Sequence, residues 1–227
     1  KKKKEGPFYT PSHLVKLLVD EVLPLKKFNE INLSNFKILD PSCGSGIFLV
    51  IAFKRLVQIW RLQNEMKLPN LDVLKSLLRN VYGVDKEEQA VQLASFSLCL
   101  ALCNELKPIE IITKLKFDDL RKSNVIESDF FIKHKLSETK FDLVIGNPPF
   151  VRGGTRDYES NSRIDNEPIE IPSNQLALKF LVDTYDYLKP NGLQCLIVKS
   201  SSLLYNSTSS NFKEKLFSKL NILQILD

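Results

Sequence analysis

The segment Asn147 to Phe150 (Asn-Pro-Pro-Phe) has the residue types of a rigid binding loop. It follows the apolar run Phe141 to Gly146, whose composition is typical of a buried strand. Two prolines end regular structure at this point, because each fixes its own backbone and restricts the residue before it. The segment predicts a side-chain amide, fixed carbonyls and an aromatic face at a strand end, with Gly146 allowing close approach. Taken alone, it also fits a proline-rich turn capped by Asn147.

Three acidic positions follow predicted strands in the same way. They are Asp40 after the first strand, Asp85 after the second, and Asp118, with Asp119 beside it, after the third. Parallel sheets bind ligands outside the carboxyl ends of their strands. These acids and Asn147 therefore predict one site at one edge of the sheet.

Asp85 has two roles open to it. At the end of the second strand of a nucleotide-type site, an acid accepts hydrogen bonds from ribose hydroxyls. The residue also precedes a predicted helix that starts at Lys86, where a carboxylate can act as N-cap. The two roles are compatible, and we favour the ribose role.

A glycine turn links the first strand to a long helix. Asp40 is followed by Pro41-Ser42-Cys43-Gly44-Ser45-Gly46 and then by helical residues from Ile47 to Met66. Strand, glycine turn and helix form the opening unit of a doubly wound α/β fold. The turn is neither the full dinucleotide-binding pattern nor a P-loop, which favours a smaller cofactor.

The remaining pattern predicts an α/β fold with a doubly wound, mostly parallel sheet. Strands are predicted at 36–40, 81–85, 109–115, 141–146, 193–198 and 222–226. Thr10 is the predicted N-cap and Pro11 the first residue of the first helix. Later helices are predicted at 47–66, 71–79, 86–105, 174–188 and 212–220, with a turn at 189–192. Residues 121–140 are predicted as a loop or short helix, 200–210 as a polar loop, and 151–173 as either an active-site loop or a surface excursion.

Composition excludes several classes of protein. The 227 residues are 43% hydrophobic and 26% charged, which is typical of a soluble globular protein. The net charge is +5, but Lys1 to Lys4 supply most of it as a basic tail (residues 1–6), so charge alone does not indicate a nucleic-acid groove. The scattered cysteines and the two distant histidines predict no metal site and a reduced, cytoplasmic chain. No signal peptide or membrane span is predicted.

The motifs, in their order, resemble the adenine-specific DNA methyltransferases of restriction–modification systems. The residues that carry the resemblance are Phe8-Tyr9-Thr10-Pro11, Asp40-Pro41-Ser42-Cys43-Gly44-Ser45-Gly46, Gly83-Val84-Asp85, Asp118-Asp119-Leu120 and Asn147-Pro148-Pro149-Phe150. The resemblance extends from Phe8 to Asp227 and implies a Rossmann-like fold with S-adenosyl-L-methionine as cofactor. It implies these contacts: Tyr9 and Thr10 near the methionine part, Asp40, Gly44 and Gly46 along methionine and ribose, Asp85 at the ribose hydroxyls, and Asp118, with Asp119 beside it, at the adenine amine.

For the target, the resemblance implies that Asn147 and the Pro148 carbonyl accept hydrogen bonds from an adenine amine while Phe150 stacks on the base. The chemistry fits, because two acceptors would stabilise the positive charge that develops on a weakly nucleophilic amine. A sulfonium supplies its own leaving group, so the reaction requires no metal. DNA with a flipped adenine is the expected partner. Lys199 stands where the family usually has proline, and the expected target-recognition domain is absent from residues 1–227. A separate or fused target-recognition domain and nuclease are further expected partners.

Other readings stay open at this point. The same loop could act on an RNA base or on a glutamine amide in a protein, although such enzymes usually lack the Thr-Pro segment before the cofactor loop. The chain could also be a non-catalytic binding subunit, which the intact acids and loop disfavour. A nicotinamide enzyme is disfavoured by the incomplete glycine pattern. The apolar final residues, 222–226, suggest a fragment of a longer chain.

Overall fold

A parallel five-stranded sheet forms the centre of the molecule. The computed structural model describes residues 10–151, 161–206 and 209–226. The sheet strands are β1 (Ile38–Asp40), β2 (Val81–Asp85), β3 (Val125–Glu127), β4 (Phe141–Gly146) and β7 (Leu188–Leu196), in the spatial order β3-β2-β1-β4-β7. Strands β5 (Asn161–Ile164) and β6 (Glu167–Glu170) form a separate antiparallel hairpin. The chain winds outward in one direction from β1 and in the other from β4, which confirms the predicted doubly wound fold.

Helices cover the sheet and bury alternate residues of its strands. They are α1 (Ser12–Val22), α2 (Ile47–Gln63), α3 (Leu71–Leu78), α4 (Glu88–Cys103), α5 (Pro108–Lys114), α6 (Leu176–Asp183), α7 (Ser200–Leu203) and α8 (Ser210–Lys219). Ile38 and Leu143 belong to a core shared with α1 to α4, whereas Leu39 and Val144 belong to a second core with Phe180 of α6. Successive strand residues thus point to opposite faces, and each large buried side chain contributes roughly 2 kcal/mol. No helix in the described ranges is long and apolar enough to cross a membrane.

The prediction of a strand at 109–115 is wrong, because most of that segment is helix α5. Pro108 occupies the first helical turn, and the Glu110 side chain accepts a hydrogen bond from the Lys107 backbone N–H at 3.3 Å. These two helix-start signals prevail over the β-branched composition. The third strand is instead β3, inside the segment predicted as a loop or short helix. Its three residues are too few to show a periodic pattern.

Two boundaries near β7 also differ from the prediction. Helix α6 ends at Asp183 and is followed by a 3₁₀ turn, Thr184–Tyr187, so the predicted helix 174–188 is too long. Residues 189–192, predicted as a turn, lie within β7, but the register jumps from Phe141–Leu188 to Leu143–Leu193. The segment therefore bulges out of the ladder, as the turn residues require.

The C-terminal residues and the long loop account for the other differences. Residues 222–226 form no strand, since none of the described strands pairs with them. The predicted loop 200–210 begins with the short helix α7. Within 151–173, residues 152–160 lie outside the described ranges, and β5 and β6 bury Ile164 and Ile169 against α6 and α8. This part of the loop is thus a packed hairpin.

The start of α1 is shifted by one residue from the prediction. Pro11, not Thr10, is the N-cap residue, with an extended backbone and no side-chain cap. Thr10 precedes the cap and its side chain is buried, with 7% of the residue exposed. The hydroxyl is consequently available for another contact.

Gly46 is required where the glycine turn meets α2 and α4. Its φ is +82°, and a Cβ there would lie 2.9 Å from Cα of Ala94. Gly44 also has a positive φ, of +50°, but a Cβ there would meet no atom within 4 Å. A side chain at position 46 would therefore have both an unfavourable backbone conformation and an overlap with Ala94, whereas one at position 44 would have only the unfavourable backbone conformation.

We expect Gly46→Ala to lower the free energy of unfolding by about 2–4 kcal/mol, and Gly44→Ala by only about 1 kcal/mol. Urea unfolding of the protein without ligand measures both changes. Equal losses at the two positions would contradict the role assigned to the Gly46–Ala94 contact.

Candidate active site

Asp40 and Gly146 meet at the point where the winding direction of the sheet reverses. Strands β1 and β4 are neighbours, with Leu39 beside Val144. A Cβ at position 146 would lie 2.6 Å from Oδ1 of Asp40. The close approach predicted at Gly146 is therefore made by the Asp40 carboxyl group, and it brings the end of β1 against the Asn147–Phe150 loop.

The glycine turn folds over the end of β2. The Cys43 backbone N–H donates to the Val84 carbonyl at 2.9 Å, and the Gly44 N–H donates to Oδ2 of Asp85 at 2.8 Å. The other carboxylate oxygen of Asp85 accepts from the Glu87 N–H at 3.0 Å, just before α4 begins. Asp85 thus stabilises both the turn and the start of the helix, at the edge where the sequence places it.

Asp40 is the most strongly perturbed acid of this edge. Only 1% of the residue is exposed. Its pKa is raised to about 8, mainly because burial desolvates the carboxylate; the Ser42 N–H, which donates at 3.1 Å, opposes the shift, and the nearby charge of Asp85 adds to it. A buried carboxyl group of this kind is protonated at neutral pH unless a cation approaches it.

The Asn147 amide contacts the N-terminal segment of the described chain. Its Nδ2 donates to Oγ1 of Thr10 at 2.9 Å. Its Oδ1 is buried and has no hydrogen-bond partner within the described structure. Pro148 is buried and Phe150 half-buried. The loop therefore holds an unused acceptor on the residue that follows Gly146, the point of the Asp40 approach, and a half-buried aromatic residue three positions later.

Asp118 does not lie at this edge, whereas Asp119 lines a cavity with Glu88 at the start of α4 and Ser128 after β3. Asp118 is exposed and forms ion pairs with Lys75 (3.8 Å) and Arg79 (3.6 Å), and Arg79 precedes the amino end of β2. Asp119 caps the turn that leads into the amino end of β3, and a hydrogen bond from the Arg121 side chain lowers its pKa. The prediction that both acids directly follow a strand is wrong, because most of that segment is helix α5, and the cofactor contact expected of Asp119 stays a prediction.

Asp129 occupies the edge position that was expected for Asp118. It follows β3, and the neighbouring Ser128 N–H donates to the Asp85 carbonyl at 2.9 Å. Its Oδ1 accepts from the Phe131 N–H at 2.9 Å. The available sequence signal was the short apolar run Val125-Ile126 with acidic residues soon after it, as Asp40 and Asp85 come at the end of their own apolar runs.

Lys199 and Tyr9 are the remaining positions that the sequence singled out. Lys199 is exposed and follows β7, three residues beyond the Gly146–Leu196 pair. Tyr9 and the basic tail lie outside the described residues. Among the described side chains, no group of three or more His, Cys, Asp or Glu residues could hold a metal ion.

The doubly wound sheet, with its glycine turn and strand-end acids at the switch point, has the class I methyltransferase fold. A putative class I S-adenosylmethionine-dependent methyltransferase from Listeria monocytogenes superposes with a TM-score of 0.53 at 16% identity, over 95% of this chain and 55% of that one. A DrdV–DNA complex superposes with a TM-score of 0.61 at 15% identity, over 94% of this chain and 22% of that one. At these identities the similarity establishes the fold alone.

The chain belongs to the Eco57I restriction-modification methylase family, whose model matches residues 79–227. A type I restriction enzyme EcoEI methylase subunit from Escherichia coli is 25% identical, over 96% of this chain and 37% of the relative. The type II methyltransferase M.BanIII from Aneurinibacillus aneurinilyticus is 26% identical, over 100% and 36%. The adenine-specific methyltransferase PglX from Streptomyces coelicolor is 28% identical, over 63% and 14%. The chain thus spans little more than a third of the first two relatives.

The raised pKa of Asp40 makes stability depend on pH in a defined direction. Between about pH 4 and 8 the unfolded state loses the Asp40 proton and the folded state keeps it, so this residue makes folding less favourable as pH rises. We expect Asp40→Asn to stabilise the ligand-free protein, by an amount that grows by up to about 1.4 kcal/mol per pH unit over this range. Urea unfolding from pH 5 to 8 measures the difference. Parallel pH curves for the two proteins would contradict the assignment.

Proposed function

We propose that this chain is the catalytic domain of a restriction–modification enzyme that transfers a methyl group from S-adenosyl-L-methionine to the exocyclic amine of adenine in DNA. The observation that carries the proposal is the buried, unpartnered Oδ1 of Asn147, held in a proline-fixed loop at the switch point of the sheet. Family membership and the class I fold supply the reaction type.

The edge of the sheet fits the expected cofactor. Gly44 has open space where a Cβ would be, so a ligand can approach its backbone. Among the described residues, no cation pairs with the buried Asp40, and the buried Ser42 Oγ has no hydrogen-bond partner. A ligand that combines an ammonium group, a sulfonium and a ribose would satisfy such groups. When bound, S-adenosylmethionine supplies an electrophilic methyl group.

Each strand-end residue has a specific role in this proposal. Asp40 faces the positively charged methionine part, and Asp85 keeps carboxylate lone pairs for the ribose hydroxyls. Asp129 replaces Asp118 as the acceptor for the adenine amine of the cofactor, since it alone of the two lies at the carboxyl edge. Gly46 acts indirectly, by letting the turn pack against α4.

The Asn147 loop acts on the target amine. The lone pair of an aromatic amine is delocalised into the ring, so the nitrogen is a weak nucleophile. Acceptance of its two N–H bonds by Asn147 Oδ1 and the Pro148 carbonyl would favour a tetrahedral nitrogen and stabilise the developing positive charge. The prolines hold these acceptors in place before the substrate arrives. Phe150 would stack on the flipped base.

DNA adenine is preferred over the other substrates that this loop could serve. One relative is named as adenine-specific, two are named as restriction-enzyme methylase subunits, and a structural neighbour was solved as a DNA complex. The intact protein should transfer radiolabelled methyl groups to adenine in DNA and not to RNA or protein glutamine. Label confined to RNA or protein would refute the assignment, and absence of transfer with intact cofactor binding would indicate a non-catalytic subunit.

Asn147→Ala removes the proposed acceptor. We expect the rate of methyl transfer at saturating cofactor to fall by about 10²–10³, the usual effect of deleting one group that stabilises transition-state charge. The dissociation constant for S-adenosylmethionine should change less than threefold or so. Asn104→Ala, at an exposed position just after α4, is the matched control and should keep the wild-type rate. A near-normal rate for Asn147→Ala would remove the basis of the proposal.

The two acids after α5 can be compared directly. Asp129→Asn places an NH₂ group where the cofactor amine needs an acceptor, so we expect about tenfold weaker cofactor binding. Asp118→Asn should leave the affinity unchanged, because Asp118 pairs with Lys75 and Arg79 at the opposite edge. Calorimetric titration with S-adenosylmethionine measures both. The reverse order of effects would restore the role first given to Asp118.

A further inference from the structure

Thr10 makes a contact that its predicted roles do not require. Its Oγ1 accepts the 2.9 Å hydrogen bond from Asn147 Nδ2, across 137 residues of sequence. The residue is 7% exposed, and it immediately precedes the N-cap of α1. Helix α1 is anchored by Val15 and Val19, both fully buried in the main core. The hydroxyl is therefore held by the fold at a fixed distance from the catalytic loop.

The contact matters because a side-chain amide has a soft terminal torsion. Rotation about χ2 of asparagine is broad and two-fold, so an unrestrained amide samples many orientations, including the one that offers NH₂ to the substrate. A target amine needs the oxygen. With Nδ2 bound to Thr10, the amide plane is fixed, and the other end of the amide, Oδ1, is buried with no partner among the described residues.

We propose that Thr10 is a positioning residue for methyl transfer: it holds the Asn147 amide so that Oδ1 faces the target amine. This inference rests on the proposed function. Thr10 need not touch the target. A hydroxyl that accepts from Asn147 keeps its own O–H to donate, so a contact with the cofactor is compatible with this role. Binding of the cofactor and positioning of Asn147 are then two separable effects of one side chain.

A double-mutant cycle separates the two effects. Thr10→Val and Thr10→Ser are made in the intact protein, alone and combined with Asn147→Ala. Single-turnover methyl transfer to DNA is measured at saturating S-adenosylmethionine, with enzyme in excess so that slow variants remain measurable. Cofactor affinity and thermal unfolding are measured for each variant. Saturation removes any effect of Thr10 that acts through cofactor binding alone.

We expect Thr10→Val to lower the wild-type rate about tenfold or more, since small displacements of a reacting group have effects of this size. Thr10→Ser restores the hydroxyl and should keep the rate within about threefold. In the Asn147→Ala background, Thr10→Val should have no further effect, because the group that Thr10 positions is gone.

Three results would overturn the inference. They are an unchanged saturated rate in Thr10→Val, an equal loss in both backgrounds, and a loss in Thr10→Ser as large as that in Thr10→Val. All three leave the proposed function intact provided that Asn147→Ala is strongly impaired. A near-normal rate for Asn147→Ala would instead overturn the proposed function itself. The thermal unfolding curves identify any variant whose loss of rate reflects loss of fold.

Discussion

The close approach of the Asp40 carboxyl group to the Gly146 backbone is the constraint on which the site depends. It is possible because β1 and β4 are adjacent, and because position 146 has no side chain that would overlap Oδ1. The same contact places the end of the cofactor edge directly against the first residue of the Asn147 loop. Any side chain at 146 would have to displace either the acid or the loop. Cofactor chemistry and target chemistry therefore share one backbone contact.

Burial gives this contact an electrostatic consequence. An acid that is 1% exposed and close to a second carboxylate disfavours its own charge, so the ligand-free site stores an unfavourable interaction that a cation would relieve. The buried side-chain oxygens of Ser42 and Asn147, which have no hydrogen-bond partner in the part of the chain that the structure describes, are unsatisfied in the same sense. Each of these groups lowers the stability of the empty domain, and each becomes favourable when a complementary ligand binds. The site is thus arranged for its ligands at the expense of the empty fold.

Sequence reasoning located this edge where the local pattern was strong and failed where tertiary pairing decided the structure. The ends of β1, β2 and β4 were predictable, because apolar runs followed by an acid or by prolines mark them locally. The third strand was not predictable, because its three residues are too few to show a pattern and are a strand only because they pair with β2. Because the third strand was misplaced, the sequence prediction assigned the acid that follows it to Asp118, whereas Asp129 is the aspartate that follows β3. The Thr10–Asn147 bond carries no local signal, and the sequence instead favoured an ordinary cap at Thr10.

The bond between Thr10 and Asn147 has a structural meaning for the whole chain. It can form only after α1 has packed on the core and β4 has joined β1, because its partners are 137 residues apart. The orientation of the Asn147 amide therefore depends on the complete fold, where the entropy of bringing distant segments together has already been lost. Parts of the chain that contain the loop but not the N-terminal segment would retain the Asn-Pro-Pro-Phe sequence without its preorganised geometry. In the proposed mechanism, the Asn147 loop therefore needs its position at the switch point of the sheet as well as its sequence.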